Sequence, residues 1–164
     1  MMILLKNCRL IPELTEGYEG LVADVLIDAK KIRQIAEPGT IEAEADVQVI
    51  DIEGNTLLPG FFDLHAHLYL SSFDFQSLNE RSAADTGFDV YGYARDYLKA
   101  GYTTIRDCGC SHNATVALER ARKKGIVNVP RVISTGLILT PTENGNSTFK
   151  ALYKVVDTPE EVRK

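Results

Sequence analysis

The chain has no tryptophan, two methionines, three cysteines and three histidines among its 164 residues. Three thiols cannot close a set of disulfides, so a reducing compartment, the cytoplasm, is expected. No apolar run reaches the length needed to span a bilayer, so no membrane partner is expected. The opening Met1-Met2-Ile3-Leu4-Leu5-Lys6-Asn7 lacks the basic lead, long apolar centre and small-residue cleavage site of a secretory signal. Basic charge is not in excess: 23 acidic against 18 basic residues give a formal net charge of -5. That argues against a nucleic-acid surface. The densest basic run, Arg120 to Lys124, reads as the solvated last turn of a helix, favoured by the helix dipole. Internal repeats and low-complexity segments are also missing. What remains is the composition of one globular domain, 45% hydrophobic and 25% charged.

Two patterns divide the chain. Residues 2 to 57 read as short strands broken by turns: Met2 to Ile11, Leu21 to Asp28, Ile32 to Ala36, and Val47 to Ile52. In the second of these, Leu21, Ala23, Val25 and Ile27 alternate onto one face. A small sandwich or meander is expected. From Pro59 onward the pattern alternates strand and helix. Phe61 to Leu68, Thr103 to Asp107 and Arg131 to Thr135 read as strands. Asp89 to Ala100 reads as a helix, striped by Val90, Tyr93, Ala94, Tyr97 and Leu98 and closed by Gly101. A second helix starts from Asn113 as N-cap and carries Ala114, Ala117, Leu118 and Ala121 on one side. This β-α-β-α-β order predicts a parallel sheet. Residues 69 to 88 and 136 to 157 read as long connections. Near the end, Thr158-Pro159-Glu160-Glu161 signals a helix start with a capping box. The chain stops about a turn later, so a piece of a longer chain is expected.

The most specific chemistry lies in Leu58-Pro59-Gly60-Phe61-Phe62-Asp63-Leu64-His65-Ala66-His67-Leu68. Residues two apart on a strand share a face. One face is therefore expected to carry Asp63, His65 and His67, and the other Phe62, Leu64, Ala66 and Leu68. Imidazoles on such a strand need partners. A metal ion satisfies two neutral imidazoles at once. The competing reading is two core histidines satisfied by backbone or water.

Pro59-Gly60-Phe61-Phe62-Asp63-Leu64-His65-Ala66-His67 resembles the first-strand signature of the metal-dependent amidohydrolase superfamily. Ala100-Gly101-Tyr102-Thr103-Thr104-Ile105-Arg106-Asp107 resembles the second strand of its imidazolonepropionase and prolidase-like branch. Pro130-Arg131-Val132-Ile133-Ser134-Thr135-Gly136 resembles the third. The resemblance implies an α/β chain: part of a small β-sandwich over 1–57, then the first strands and helices of a truncated (β/α)8 TIM-like barrel over 58–164. It implies hydrolysis of C–N bonds in a small amide, cyclic amide or dipeptide by a water activated on one or two divalent ions, zinc first among them. Carried over, His65 and His67 would be metal ligands, and Asp63 would support their strand from outside the metal's own ligands. The long connections 69–88 and 136–157 would contact substrate. The family takes its further ligands, a carboxylated Lys or Glu, two His and an Asp, from later strands that this chain does not contain. Where relatives often continue with Gly-Gly-His-Gly, this chain reads Glu143-Asn144-Gly145-Asn146.

The 164 residues alone are therefore expected to be inactive. An open barrel edge is expected to associate with itself or with a complementing fragment. Asp107 and His112 are further site candidates, including in trans across a dimer. For Arg106-Asp107 the default expectation is a buried ion pair. Cys108-Gly109-Cys110 with His112 reads as a soft metal or redox site, or as small packing residues. The alternative function is a non-catalytic metal- or partner-binding protein that keeps a relict His-x-His.

Overall fold

The computed structural model describes residues 2–163. It divides into two compact units, Met1–Pro59 and Gly60–Lys164.

The first unit holds β1 (Met2–Arg9), β2 (Val22–Asp28), β3 (Lys31–Ala36) and β4 (Gln48–Asp51) in one sheet, ordered β3-β2-β1-β4. The first three strands run antiparallel in sequence order, as a meander should. The fourth departs from it and lies parallel to β1. Cys8, Leu10, Ala23 and Val25 form the core, so the alternation through Ala23 and Val25 positions them as expected. Asp24 between them is also fully buried, which alternation alone would not give. Its Oδ1 accepts the Asn7 amide at 2.9 Å and its Oδ2 the Gly39 amide at 2.8 Å. Asn7 has φ 56° inside a register shift of β1, and Gly39 has φ 81°. A glycine meets the second of these at no steric cost.

The second unit begins with β5 (Phe61–Ala66), α1 (Phe75–Glu80), α2 (Ala83–Lys99), β6 (Tyr102–Asp107), α3 (Ala114–Lys123) and β7 (Arg131–Ser134). The three strands form a parallel sheet ordered β5-β6-β7, as the β-α-β-α-β pattern predicts. Helix α2 buries Thr86, Val90 and Ala94, one residue per turn, against a core that includes Ile105, Leu118 and Val132. Full burial of an aliphatic side chain of this size contributes about 1.5–3 kcal/mol. Gly60 enters this sheet against Thr103: a Cβ on Gly60 would stand 2.2 Å from the Thr103 Cγ2. Close approach, rather than a turn, requires the glycine there.

The two long connections are more structured than their composition suggests. The first contains α1, capped by Asp74, and the first two turns of α2. Ser82 and Asp85 close a capping box at the α2 N-terminus. The start at Ala83 is masked in the sequence because Asp stands where Glu or Gln is usual, and Thr86 and Gly87 follow with poor helix propensity. The second connection contains β8 (Ile138–Thr140) and β9 (Tyr153–Val155), a parallel pair. Asn113 stands at the N-cap position of α3 but is left-handed, φ 54°, and its side chain makes no capping bond. The capping box of Thr158 and Glu161 forms as expected and opens α4 (Pro159–Val162). On α3, Glu119 holds Arg122 in a two-pronged pair and also accepts the Val132 amide of β7 at 3.0 Å. The basic run is thus partly paired within its own helix.

Candidate metal centre

The β5–β6 register decides which side chains meet. Asp63 lies opposite Ile105 and Ala66 opposite Asp107, three steps on β5 against two on β6. The extra residue is a bulge, and it reverses the alternation. Neighbours in register share a face, so Asp63 falls on the side of Ile105 and Ala66 rather than with His65. The expected single face of Asp63, His65 and His67 does not form. Nor does the expected apolar face: Ala66 and Leu68 are buried, but Phe62 is 63% exposed and Leu64 75%.

Asp63 closes the bulge itself. Its Oδ1 accepts the His65 amide at 3.0 Å and its Oδ2 the Tyr97 hydroxyl at 3.0 Å. Burial, and then the Asp63 carboxylate, push the Tyr97 phenol above its usual range. It is therefore a donor at neutral pH. The place of Tyr97 in the apolar stripe of α2 gives no sign of this bond.

The two histidine rings are neighbours, edge to face, with centroids 5.3 Å apart. His65 is exposed and His67 half-buried. The Nδ1 of His67 lies 3.2 Å from the Gly109 carbonyl. A carbonyl only accepts, so Nδ1 carries the proton in that bond, and the Nε2 lone pair is left free. A small cavity of about 140 Å³ opens beside His67, lined also by Leu70, Ser71, Tyr93 and Tyr97.

Asp107 is wholly buried at the end of β6. Its Oδ1 accepts the Leu68 amide at 3.1 Å, and its Oδ2 accepts the Thr115 hydroxyl at 2.8 Å and the Ser134 hydroxyl at 3.4 Å. Burial pushes its carboxyl above the usual range. The expected ion pair with Arg106 does not form: Arg106 is exposed, and among the described residues Asp107 has no cationic partner. Adjacent residues on a strand point to opposite faces, which separates the two. The His112 Nε2 donates to the Arg81 carbonyl at 3.2 Å, in a loop where His112 has φ 55°. Cys110 is buried, and burial first, then Asp107, push its thiol to about 11. That disfavours a reactive thiolate. All three cysteines are free.

Among the described residues no three His, Cys, Asp or Glu side chains gather as a metal group. The donor set therefore fits two positions of a metal's shell, both imidazole, and neither Asp107 nor His112 joins them in this chain. Among the same residues no helix is long and apolar enough to cross a membrane.

No family model matches the chain. Among curated proteins it is 35% identical over 108 residues to a dihydroorotase of Clostridium acetobutylicum, covering 63% of this chain and 21% of that one. It is 37% identical over 106 residues to a dihydroorotase of Pediococcus pentosaceus, covering 64% and 20%. Among solved structures, an amidohydrolase matches 99% of this chain with 42% of its own, at TM-score 0.75 and 24% identity. The chain is thus similar in sequence to dihydroorotases and in fold to an amidohydrolase. A Xaa-Pro dipeptidase with bound methionine in its active site shares the fold at TM-score 0.75 and 21% identity, over 99% of this chain and 42% of that one. The chain spans about a fifth of the length of those curated relatives and about two fifths of those structures.

Proposed function

We propose that this chain supplies the first metal-binding strand and the adjoining loops of a hydrolase of C–N bonds in small amides, cyclic amides or dipeptides. The observation that carries the proposal is the His65–His67 pair, with the Nδ1 of His67 committed to Gly109 and its Nε2 free. His65 and His67 would hold a divalent ion, zinc first among candidates for imidazole donors. Such an ion, when bound, polarises a carbonyl and makes water acidic enough to attack at neutral pH. Asp63 and Tyr97 brace the bulge that presents the pair. The first unit is read as part of a β-sandwich and the second as part of a (β/α) barrel.

A catalytic zinc takes about three protein ligands, and the described residues gather two. We therefore assign the chain metal binding without turnover by itself. A second reading, a metal- or partner-binding protein with a relict site, is favoured by the two-ligand set of the described residues. The exposed β5 strand, with Phe62 and Leu64, is the surface proposed for self-association or for a complementing fragment. Three free thiols suit the cytoplasm.

Zinc titration of the 164-residue chain tests the metal assignment. Binding that disappears in His65→Ala and His67→Ala is expected, and binding unchanged in both overturns it. Amide and dipeptide hydrolysis is then assayed with and without zinc. Turnover by the purified monomer defeats the non-catalytic assignment. Sedimentation should show association that Leu64→Lys abolishes.

A further inference from the structure

We propose that Asp107 is a positioning residue for the metal-binding histidines, an inference that rests on the metal reading of His65 and His67. Three consecutive residues leaving β6 fasten three consecutive residues leaving β5. The Cys108 amide donates to the Ala66 carbonyl at 2.8 Å. The His67 ring donates to the Gly109 carbonyl at 3.2 Å, and the Leu68 amide donates to the Asp107 carboxylate at 3.1 Å. His67 is therefore gripped by its ring and by the peptides on both sides. Asp107 is the one side chain among the β6 contributions, so it is the part of the grip that substitution can remove.

The partners of Asp107 separate its roles. The Thr115 and Ser134 hydroxyls lie 2.7 Å apart and can bond each other without the carboxylate. Their contacts with Oδ2 join α3 to β7. The Leu68 amide is buried one residue past His67 and donates to Oδ1 of Asp107. Losing that acceptor would leave a buried amide unpaired, and the chain would turn to find water or another carbonyl. The turn would carry His67 with it. Outer partners that orient a ligating imidazole are worth about 10–100-fold in metal affinity.

The test measures zinc affinity of the full chain by chelator competition, with Leu68 amide exchange and the ring nitrogen spectrum of His67 recorded without metal. Asp107→Ala should weaken zinc by about 10–100-fold, speed Leu68 exchange and mix the His67 tautomers. Asp107→Asn keeps an oxygen acceptor and should retain all three wild-type readouts. Thr115→Val removes an Oδ2 bond and should lower stability while leaving zinc affinity unchanged. A folded Asp107→Ala with wild-type zinc affinity overturns the inference. So does a Thr115→Val loss of zinc equal to that of Asp107→Ala, since Asp107 would then only support the fold. If Asp107→Ala does not fold, unchanged affinity in both Asp107→Asn and Thr115→Val supports the inference, and loss in either overturns it. A wild-type chain that binds no zinc sinks the metal reading instead. In that event Asp107→Ala with one His67 tautomer and slow Leu68 exchange separately shows that Asp107 does not position the ring.

Discussion

Among the described residues each unit buries one carboxylate completely, Asp24 in the first and Asp107 in the second, and the two are put to different use. Asp24 sits inside β2, between core residues, and accepts two backbone amides from residues with positive φ. Both bonds hold a bend in place. Asp107 sits at the carboxyl end of β6 and accepts one backbone amide and two hydroxyls, drawn from β7, α3 and the segment after His67. Its bonds hold separate elements at one end of a parallel sheet, where sites in such folds are built. A buried carboxylate is thus no mark of function by itself. What it fastens, and where along the strand, makes the difference.

The largest effect that would sharpen this contrast is expected from Asp24→Ala. It removes two charge-assisted bonds and should cost about 2–4 kcal/mol by urea unfolding, with amide exchange rising in the first unit and zinc affinity untouched. Loss of zinc in that variant would erase the distinction between the two carboxylates. His67→Ala should do the reverse, with small change in unfolding but a loss of zinc at least as large as the roughly 100-fold that an outer partner can cost. Glu119 offers a carboxylate of a third kind, paired and only partly buried. Arg122 first, and then the Val132 amide, hold its carboxyl below the usual range. A depressed folded value means that its contribution is complete above the unfolded carboxylate pKa of about 4.3 and is lost as pH falls through the folded value. Glu119→Gln should cost about 1–2 kcal/mol at neutral pH and flatten that acid limb in unfolding experiments. The smallest effect belongs to Thr158→Ala, which removes a helix cap worth about 1 kcal/mol and should move neither sheet in exchange measurements.

These contrasts also separate what could be read along the chain from what could not. The Thr158–Glu161 box is local and carried by the usual residue types, so its place was evident. The order of β5, α2, β6, α3 and β7 followed from apolar periodicity, which each element expresses by itself. The face of Asp63 depended on a bulge, and the bulge exists only in the pairing of β5 with residues some forty positions away. Likewise the partners of Asp107 stand 39, 8 and 27 residues from it. No window of sequence contains them. Asn113 reads as a helix cap because Asn is among the favoured capping types, while its left-handed conformation, shared with His112, belongs to the loop that joins β6 to α3.

The two outer strands of the parallel sheet are not equivalent. On β7 one amide is already occupied by Glu119, whereas β5 presents Phe62 and Leu64 to solvent. Head-to-tail stacking of β5 on β7 would have to displace a carboxylate from its amide and its arginine. On β5 the His65 amide is likewise held, by Asp63, so pairing β5 to β5 would displace a carboxylate as well. Each outer strand thus has one amide covered by a carboxylate of its own unit, which blunts the sheet at both edges against strand-by-strand growth.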